Sequence, residues 1–406
     1  MTIHDTFAAM QSGAAPGQEI RAGTEMPIEA IGEALTGTPV DFSHGDVDAH
    51  QPIPGARDAW LEGFAAGGRQ AYTEYRGDVD LRQKLALHLA AFTGAPVDGV
   101  NGLILTPGTQ GALFLAMGAC VTRGTKIAVL EPDYFANRKI AVFLGGEVVS
   151  VPFLYGSSAK SAGQGNGPDL VALESAFEAG TKVLIYSTPN NPTGAITGGD
   201  VTQQIGVLAA RHGVTVIVDQ LYSRMLYPGE TIPHLRAMST RPKQMMTVMG
   251  PSKTESLSGF RLGAAFGSAE LIDRMEKLQA IVSLRAAGYS QAALSTWFEE
   301  PKGWMAKRIE AHRAIRDDLL RTFREAQWEV TTPQAGSYLY PRLPKLSVGL
   351  STFVRLLRLQ ANVIVTPGTE FAPGDTDRIR LNFSQDHAAA VAAADRIVAL
   401  ARRYAE

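Results

Sequence analysis

The chain has one cysteine in 406 residues, Cys120. No disulfide can close within it, and a reducing, cytoplasmic setting is expected, with Cys120 packed in the apolar run GALFLAMGACV rather than reactive. No apolar run approaches bilayer-spanning length, and the opening MTIHDTFAAMQSGAAPGQEI lacks the basic stretch and long apolar core of an export signal, so no membrane partner is expected. Excess charge is also missing: 38 Lys and Arg stand against 40 Asp and Glu, a formal net charge of −2. That balance disfavours a nucleic-acid surface, and any anion site has to be local. Two glycine signatures are absent. No G-x-G-x-x-G follows a strand, so a nicotinamide dehydrogenase is not expected, and there is no Walker loop. The one possible metal cluster, His44, Asp46, Asp48 and His50 in DFSHGDVDAHQPIPG, is interrupted by Gly45 and followed by Pro52 and Pro54, without closed ligand spacing. It reads as a loop with its own turn hydrogen bonds, and no metal is expected.

What is present is an ordinary globular composition, 45% hydrophobic and 19% charged, in a chain long enough for more than one core. The expected fold is α/β: an N-terminal arm at 1–45 with a helical turn or two near 27–35, a large domain at 46–290, and a smaller α+β domain at 291–406 packing with the N-terminal segment. The runs GLILT, KIAVLE, GEVVSVPF, KVLIYSTP, VTVIVDQ and QMMTVM read as strands separated by helical patterns. Near-continuous apolar strands in that alternation predict a mostly parallel sheet of the seven-stranded type, covered by helices. The Gly/Ser-rich YGSSAKSAGQGNGPD reads as a mobile surface loop. Short strands are expected later at WEVTT, SYLYPRL, NVIVTPG and RIRLNFS, with helices at STFVRLLRLQ and HAAAVAAADRIVALARRYA. His88 reads as a half-buried helix residue, and His212 and His312 as helix-surface residues.

Ligands of such sheets bind beyond the carboxyl ends of the strands. Chemistry-bearing residues collect there: Tyr134 after KIAVLEP, Asn191 after KVLIYSTP, Asp219 closing VTVIVD, and Lys253 after QMMTVM. A lysine so placed can form a Schiff base with a carbonyl compound, best where desolvation or a cation lowers its pKa. In GPSKTESLSGFRLG, Ser252 adjoins Lys253 and Arg261 follows it by eight residues, so a hydroxyl, an amine and a guanidinium can converge on one phosphorylated carbonyl ligand. That describes a site for pyridoxal 5′-phosphate. The strand-to-helix junction at Gly108 and Thr109 offers backbone N–H groups and a positive helix end to a phosphate. Asp219 can hold a proton on the cofactor's pyridine nitrogen, while Asn191 and Tyr222, three residues past Asp219, can donate to its phenolic oxygen. The Asn191–Pro192 bond in NNPTG is a candidate for a cis peptide.

Together, YSTPNNPTG, VIVDQLY, GPSKTESLSGFRLG and RIRLNFS resemble, in order and spacing from about Gly45 to Ser384, the four signatures of the class I/II aminotransferases, fold type I pyridoxal phosphate enzymes. The resemblance implies an aspartate aminotransferase-like fold and transfer of an amino group between an amino acid and a 2-oxo acid. It implies that Lys253 binds the cofactor covalently and shuttles the substrate proton, and that Asp219 holds the pyridinium. Asn191 and Tyr222 would hold the phenolic oxygen, and Tyr134 would stack on the ring. The phosphate would be taken by Gly108, Thr109, Gln110, Ser252 and Arg261. Arg380 would clamp the substrate α-carboxylate in bidentate fashion, with Gly45 and Asn191 nearby. Tyr72, in YTEYRG, would reach a partner's phosphate, which makes the active unit a homodimer with shared sites. Two positions depart from the family pattern: Glu255, where relatives commonly carry an apolar residue, and Arg285, in a region that borders the partner's site. Arg285 or Gln110 is expected to read the substrate side chain. The alternative is a lyase, cyclase or decarboxylase on the same scaffold, because Arg380 with Lys253 serves Cα–H cleavage in either case. A non-catalytic cofactor-binding regulator is disfavoured by the retained Lys253.

Overall fold

The computed structural model describes residues 2–10, 30–45 and 47–406. Its main sheet runs in the order Leu103–Pro107, Leu262–Gly267, Met245–Met249, Thr215–Asp219, Val183–Ser187, Lys126–Glu131, Glu147–Leu154 and Gly167–Pro168. Four of the seven neighbouring pairs are parallel; Leu262–Gly267 is antiparallel to both its neighbours, and Gly167–Pro168 is a two-residue antiparallel edge. The parallel strands therefore end on one edge, and Leu262–Gly267 begins there. This antiparallel strand is absent from the sequence expectation, because LGAAFG is too rich in small residues to read as a buried run.

Both faces of the sheet are covered. One core holds Ile104, Leu113, Ile127, Ile185, Ile217 and Met275; the other holds Leu130, Leu173, Leu184, Ile205 and Val216. Alternate residues of each strand feed opposite cores, which is why the strands read as continuous apolar runs. A third core gathers Phe353, Leu357, Leu381 and Ile397 with Val40 and Phe42 from the other end of the chain. Val40–Asp41 pairs in parallel with Val363–Ile364, which anchors the N-terminal segment there. Ala293, Leu294 and Trp297 pack with Leu85, Leu103 and Phe266 beside the sheet.

Several local expectations change. Residues 30–36 are not helical: Gly32 has φ +72, and the segment is tied down by Ile31 N–H to Tyr404 Oη at 2.7 Å and Gln360 Nε2 to Ile31 O at 3.1 Å. Residues 27–29 lie outside the described residues. Residues 328–332 form no ladder; their backbone is met instead by single bonds such as Arg342 N–H to Glu329 O at 2.9 Å. The Gly/Ser-rich loop carries the helix Ser157–Ser161 and the edge strand, and Asn166 Nδ2 bonds Gln334 Oε1 at 2.8 Å. His312 is fully buried rather than at a helix surface: its ring stacks 4.1 Å from that of His50, and Nε2 meets Ser384 Oγ at 2.9 Å. Burial holds it neutral, at about 3. His44 lies 3.4 Å from Asp41, so two of the four possible metal ligands face different partners, and Asp46 is outside the described residues. Cys120 is half-buried with Sγ donating to Ala116 O, and burial pushes its thiol up to about 12. Among the described residues, no helix is long and apolar enough to cross a membrane.

Candidate active site

A cavity of about 640 Å³ opens at the carboxyl edge of the sheet. Thr109, Gln110, Tyr134, Asn191, Asp219, Tyr222, Ser252, Lys253, Arg261 and Arg380 all line it. Convergence from five strand ends and the third core is what the parallel arrangement provides: each strand exits on the same edge, and its loop carries one or two of these side chains.

The anion end is built by two segments pressed together. Pro107 pairs with Leu262 and Thr106 with Gly263, so Arg261 is delivered to the start of the helix Gly108–Gly118. A Cβ on Gly263 would stand 2.5 Å from Thr109 N, and one on Gly108, at φ +75, would stand 2.6 Å from Arg261 Nη2. Neither position tolerates a side chain. No side chain caps that helix, so its first amides and positive end stay directed at the cavity beside Ser252 and Arg261. Gly108 itself is the hinge of this cradle rather than part of the cavity lining.

Lys253 sits half-buried in the loop that follows Met245–Met249. Its neighbours are held from behind. Glu255 is fully buried outside the cavity lining, paired with Arg224 and Thr254, and the partly buried Arg224 also bonds Glu300 at 2.6 Å. Burial raises the Glu255 carboxyl above its ordinary range, with Arg224 opposing. The residue that departs from the family pattern thus locks the lysine loop and does not face a substrate.

Asp219 is buried and accepts one backbone N–H, from Leu221 at 3.1 Å; burial pushes its carboxyl up to about 6. A carboxylate with so little internal compensation favours a cation beside it. Asn191 Oδ1 accepts from Arg380 Nη1 at 3.2 Å. Arg380 also donates from Nη2 to Ser43 O at 2.8 Å and Thr366 Oγ1 at 3.2 Å, and its guanidinium lies 4.5 Å from the Tyr338 ring and 4.8 Å from that of Phe371. Its Nε is buried without a partner, the kind of orphaned donor that a bidentate carboxylate satisfies. Tyr134 donates to Gln110 Oε1 at 2.8 Å.

Three expected residues lie elsewhere. Gly45 borders a small adjoining cavity with Lys253, Ser252 and Ser384. Tyr72 is 80% exposed, and Arg285 stacks over it at 5.4 Å while donating to Thr73 O at 2.6 Å; neither lines the cavity of its own chain. The cis bond of this segment precedes Pro189, not Pro192, and a second cis bond joins Glu131 and Pro132. Gly194 N–H to Asn190 O at 2.8 Å and Thr193 N–H to Asn190 Oδ1 at 3.2 Å close the NNPTG turn with Asn191–Pro192 trans.

The sequence reading missed Asp133, Tyr338 and Arg358. Asp133 accepts from Ser187 N at 2.9 Å and from Tyr134 N at 2.7 Å, and Ser187 Oγ in turn accepts Asn191 N at 3.1 Å. It braces Tyr134 and Asn191 together, and burial pushes it up to about 7. The only signal was its place beside Tyr134. Tyr338 shares a 2.5 Å hydroxyl contact with Tyr222, and no local pattern announces it.

A strand-edge cavity that joins one lysine to a buried carboxylate, an anion cradle and a carboxylate-binding arginine defines an enzyme acting on amino or carbonyl compounds. The chain belongs to the aminotransferase family described as Aminotransferase class I and II, which it matches over residues 38–397. Members of that family generally depend on pyridoxal phosphate. The chain is 29% identical over 311 residues to the aspartate/prephenate aminotransferase of Thermus thermophilus, covering 76% of this chain and 77% of that one. It is 27% identical to the aspartate aminotransferase of Musicola paradisiaca, with 83% of each covered. Among solved structures, an aspartate aminotransferase from Rhodobacter sphaeroides superposes with TM-score 0.92 at 57% identity, with 100% of both chains covered. The chain is an aminotransferase, and that reading stands over the lyase, cyclase or decarboxylase alternative.

Proposed function

We propose that this enzyme uses pyridoxal 5′-phosphate to move an amino group between an amino acid and a 2-oxo acid, with a dicarboxylic amino acid among its substrates. The observation that carries it is the single cavity shared by Lys253, Asp219, Asn191, Arg261 and Arg380. The name of the 57% identical structure supports the substrate class. When bound, the cofactor supplies an electron-withdrawing ring that acidifies the Cα–H of an attached amino acid. Gly108, Thr109, Gln110, Ser252 and Arg261 hold its phosphate, Asp219 keeps its ring nitrogen protonated, Asn191 and Tyr222 serve its phenolic oxygen, and Tyr134 covers the ring. Lys253 would hold its carbonyl carbon and would move the proton at the substrate Cα. Arg380 grips the α-carboxylate, assisted by Asn191 and the Gly45 loop.

The division into an arm at 1–45, a large domain at 46–290 and a small domain at 291–406 belongs to this reading, as does a cytoplasmic setting in which Cys120 stays reduced. So does a homodimer. Tyr72, Phe64, Ile281, Val282 and Leu284 are exposed apolar side chains near Arg285, a surface suited to a second copy. Sedimentation as a monomer at micromolar concentration would refute the dimer.

The activity is tested by adding single amino acids to the cofactor-loaded protein without any 2-oxo acid. The absorbance of the lysine-bound cofactor is expected to convert to that of pyridoxamine phosphate and to stay converted until a 2-oxo acid is supplied. Return of the original spectrum while amino acid is consumed would count against transfer.

A further inference from the structure

A small chamber of about 20 Å³ adjoins the main cavity at Lys253, and the two share Ser252, Lys253 and Ser258. Among the described residues that line it, Lys253 is the only charged one; five serines and Asn382 supply the rest of its polar surface. A space of that size admits one water and no larger ligand, and a water stays only where at least two polar groups reach it.

Two of the lining groups are committed from behind in a way that decides what they offer the chamber. Asn382 is fully buried at the end of Ile379–Asn382. Its Oδ1 accepts Ser384 N–H at 3.0 Å, which fixes the orientation of the amide, and its Nδ2 is a buried donor without a partner. Ser384 is the converse case. His312 Nδ1 lies 2.8 Å from Arg308 O, and a carbonyl only accepts, so Nδ1 carries the proton of the neutral ring. Nε2 is then an acceptor and takes the Ser384 hydroxyl proton at 2.9 Å. With that proton committed, Ser384 Oγ has only lone pairs left for the chamber. The His50 ring, stacked 4.1 Å from that of His312, packs the imidazole in place. One donor and one acceptor thus line a one-water space beside an amine that has no hydrogen bond or ion pair to any described residue.

We propose that a single water molecule, held by Asn382 Nδ2 and Ser384 Oγ, occupies this chamber and hydrogen-bonds the Lys253 amine, which makes Asn382 and Ser384 positioning residues for the lysine. What Lys253 does from that position rests on the proposed function. The water accepts from Asn382, donates to Ser384, and keeps one hydrogen and one lone pair, so it serves the amine whether neutral or protonated. The amine has a fixed place at the edge of the main cavity whenever it is not covalently engaged. Buried His312 gains a purpose: its tautomer turns Ser384 into an acceptor.

The test joins high-resolution crystallography of the full chain, with the Lys253 amine unmodified, to steady-state kinetics of wild type, Ser384→Ala, Asn382→Leu and Ser384→Thr. Wild type should show a water within about 3.2 Å of Asn382 Nδ2, Ser384 Oγ and Lys253 Nζ. Ser384→Ala and Asn382→Leu should lose the water and leave the Lys253 side chain in more than one rotamer. Their kcat should fall roughly 10- to 100-fold with KM changed by less than about threefold, because an unfixed amine affects chemistry rather than binding. Ser384→Thr retains the hydroxyl and should restore both the water and the rate. An unoccupied chamber in wild type, or wild-type kcat in a variant that has lost the water, would overturn the proposal. If Asn382→Leu does not fold, Ser384→Ala decides alone. If wild type holds the water but converts no amino acid, the water site stands and the aminotransferase reading fails.

Discussion

Lys253→Ala is expected to lower kcat for amino transfer roughly ten-thousand-fold or more, because covalent capture and proton transfer are lost together. Among the described residues, Lys253 is the only lysine lining the cavity, so no second amine can substitute. His44, the other nitrogen base of the lining, is largely exposed and paired with Asp41, away from the anion cradle. The loss should fall on chemistry rather than on folding. The lysine loop is held by Glu255, Arg224 and Arg308 through contacts that do not use the Lys253 side chain, including Ile53 N–H to Glu255 O at 3.0 Å. The variant should therefore unfold at the wild-type temperature and still bind the cofactor through Arg261, Asp219 and Asn191, but without the spectrum of a lysine adduct. Single-turnover absorbance with aspartate, alongside thermal unfolding, separates these effects. Turnover within tenfold of wild type would refute the role given to Lys253.

Asp219→Asn should have two opposite consequences. In the folded chain without cofactor, Asp219 ionises at about 6, against an ordinary value of 3.8, because burial disfavours its charge. Below about pH 3 the carboxyl is mostly protonated, folded or unfolded, and it contributes nothing to the pH dependence. As pH rises through about 4 to 6 the unfolded chain ionises first, so the folded state loses stability relative to an asparagine variant. At about 1.4 kcal/mol for each pH unit separating the folded and unfolded ionisations, the apoprotein of Asp219→Asn should be more stable than wild type by about 3 kcal/mol at pH 8, with the difference vanishing below about pH 3. The Leu221 N–H to residue 219 can persist in the variant, since an amide oxygen accepts as a carboxylate does. With cofactor the order reverses. The variant cannot hold the ring nitrogen's proton by charge, and kcat/KM should drop roughly 100- to 1,000-fold as a preorganised electrostatic partner is removed. Urea unfolding of both apoproteins at several pH values measures the first effect; a stability gap that does not widen with pH would count against it. The pairing is what a functional site costs in stability: a buried carboxylate is kept where a cationic ligand, not the protein, compensates it.

These expectations rest on residues of which some were legible in the chain and others were not. Lys253, Asp219 and Asn191 follow strands whose apolar runs announce themselves, and a parallel sheet brings strand ends to one edge. Knowing the strands was therefore enough to gather those residues. The small glycines of the lysine motif were visible as letters, but their purpose was not: the tight approach of Gly263 to Thr109 exists only because Leu262–Gly267 pairs antiparallel with Leu103–Pro107. That strand is mostly glycine and alanine, and a run of small residues carries no period that separates strand from turn. His312 failed for a related reason. Helical spacing assigns a face, but whether that face meets solvent or a second histidine depends on what packs against it, here His50 from more than 250 residues away.

Residue types and apolar periodicity were enough to establish the class of chemistry and the sheet that supports it, because covalent reactivity belongs to particular side chains and buried strands show as apolar runs. Folding in three dimensions was needed to turn Glu255 toward a buried arginine, to set Asp133 as a brace for Tyr134 and Asn191, and to bring Tyr338 and Arg358 into the cavity. Each of these depends on contact between segments distant in the chain, and long-range packing leaves no local pattern to read.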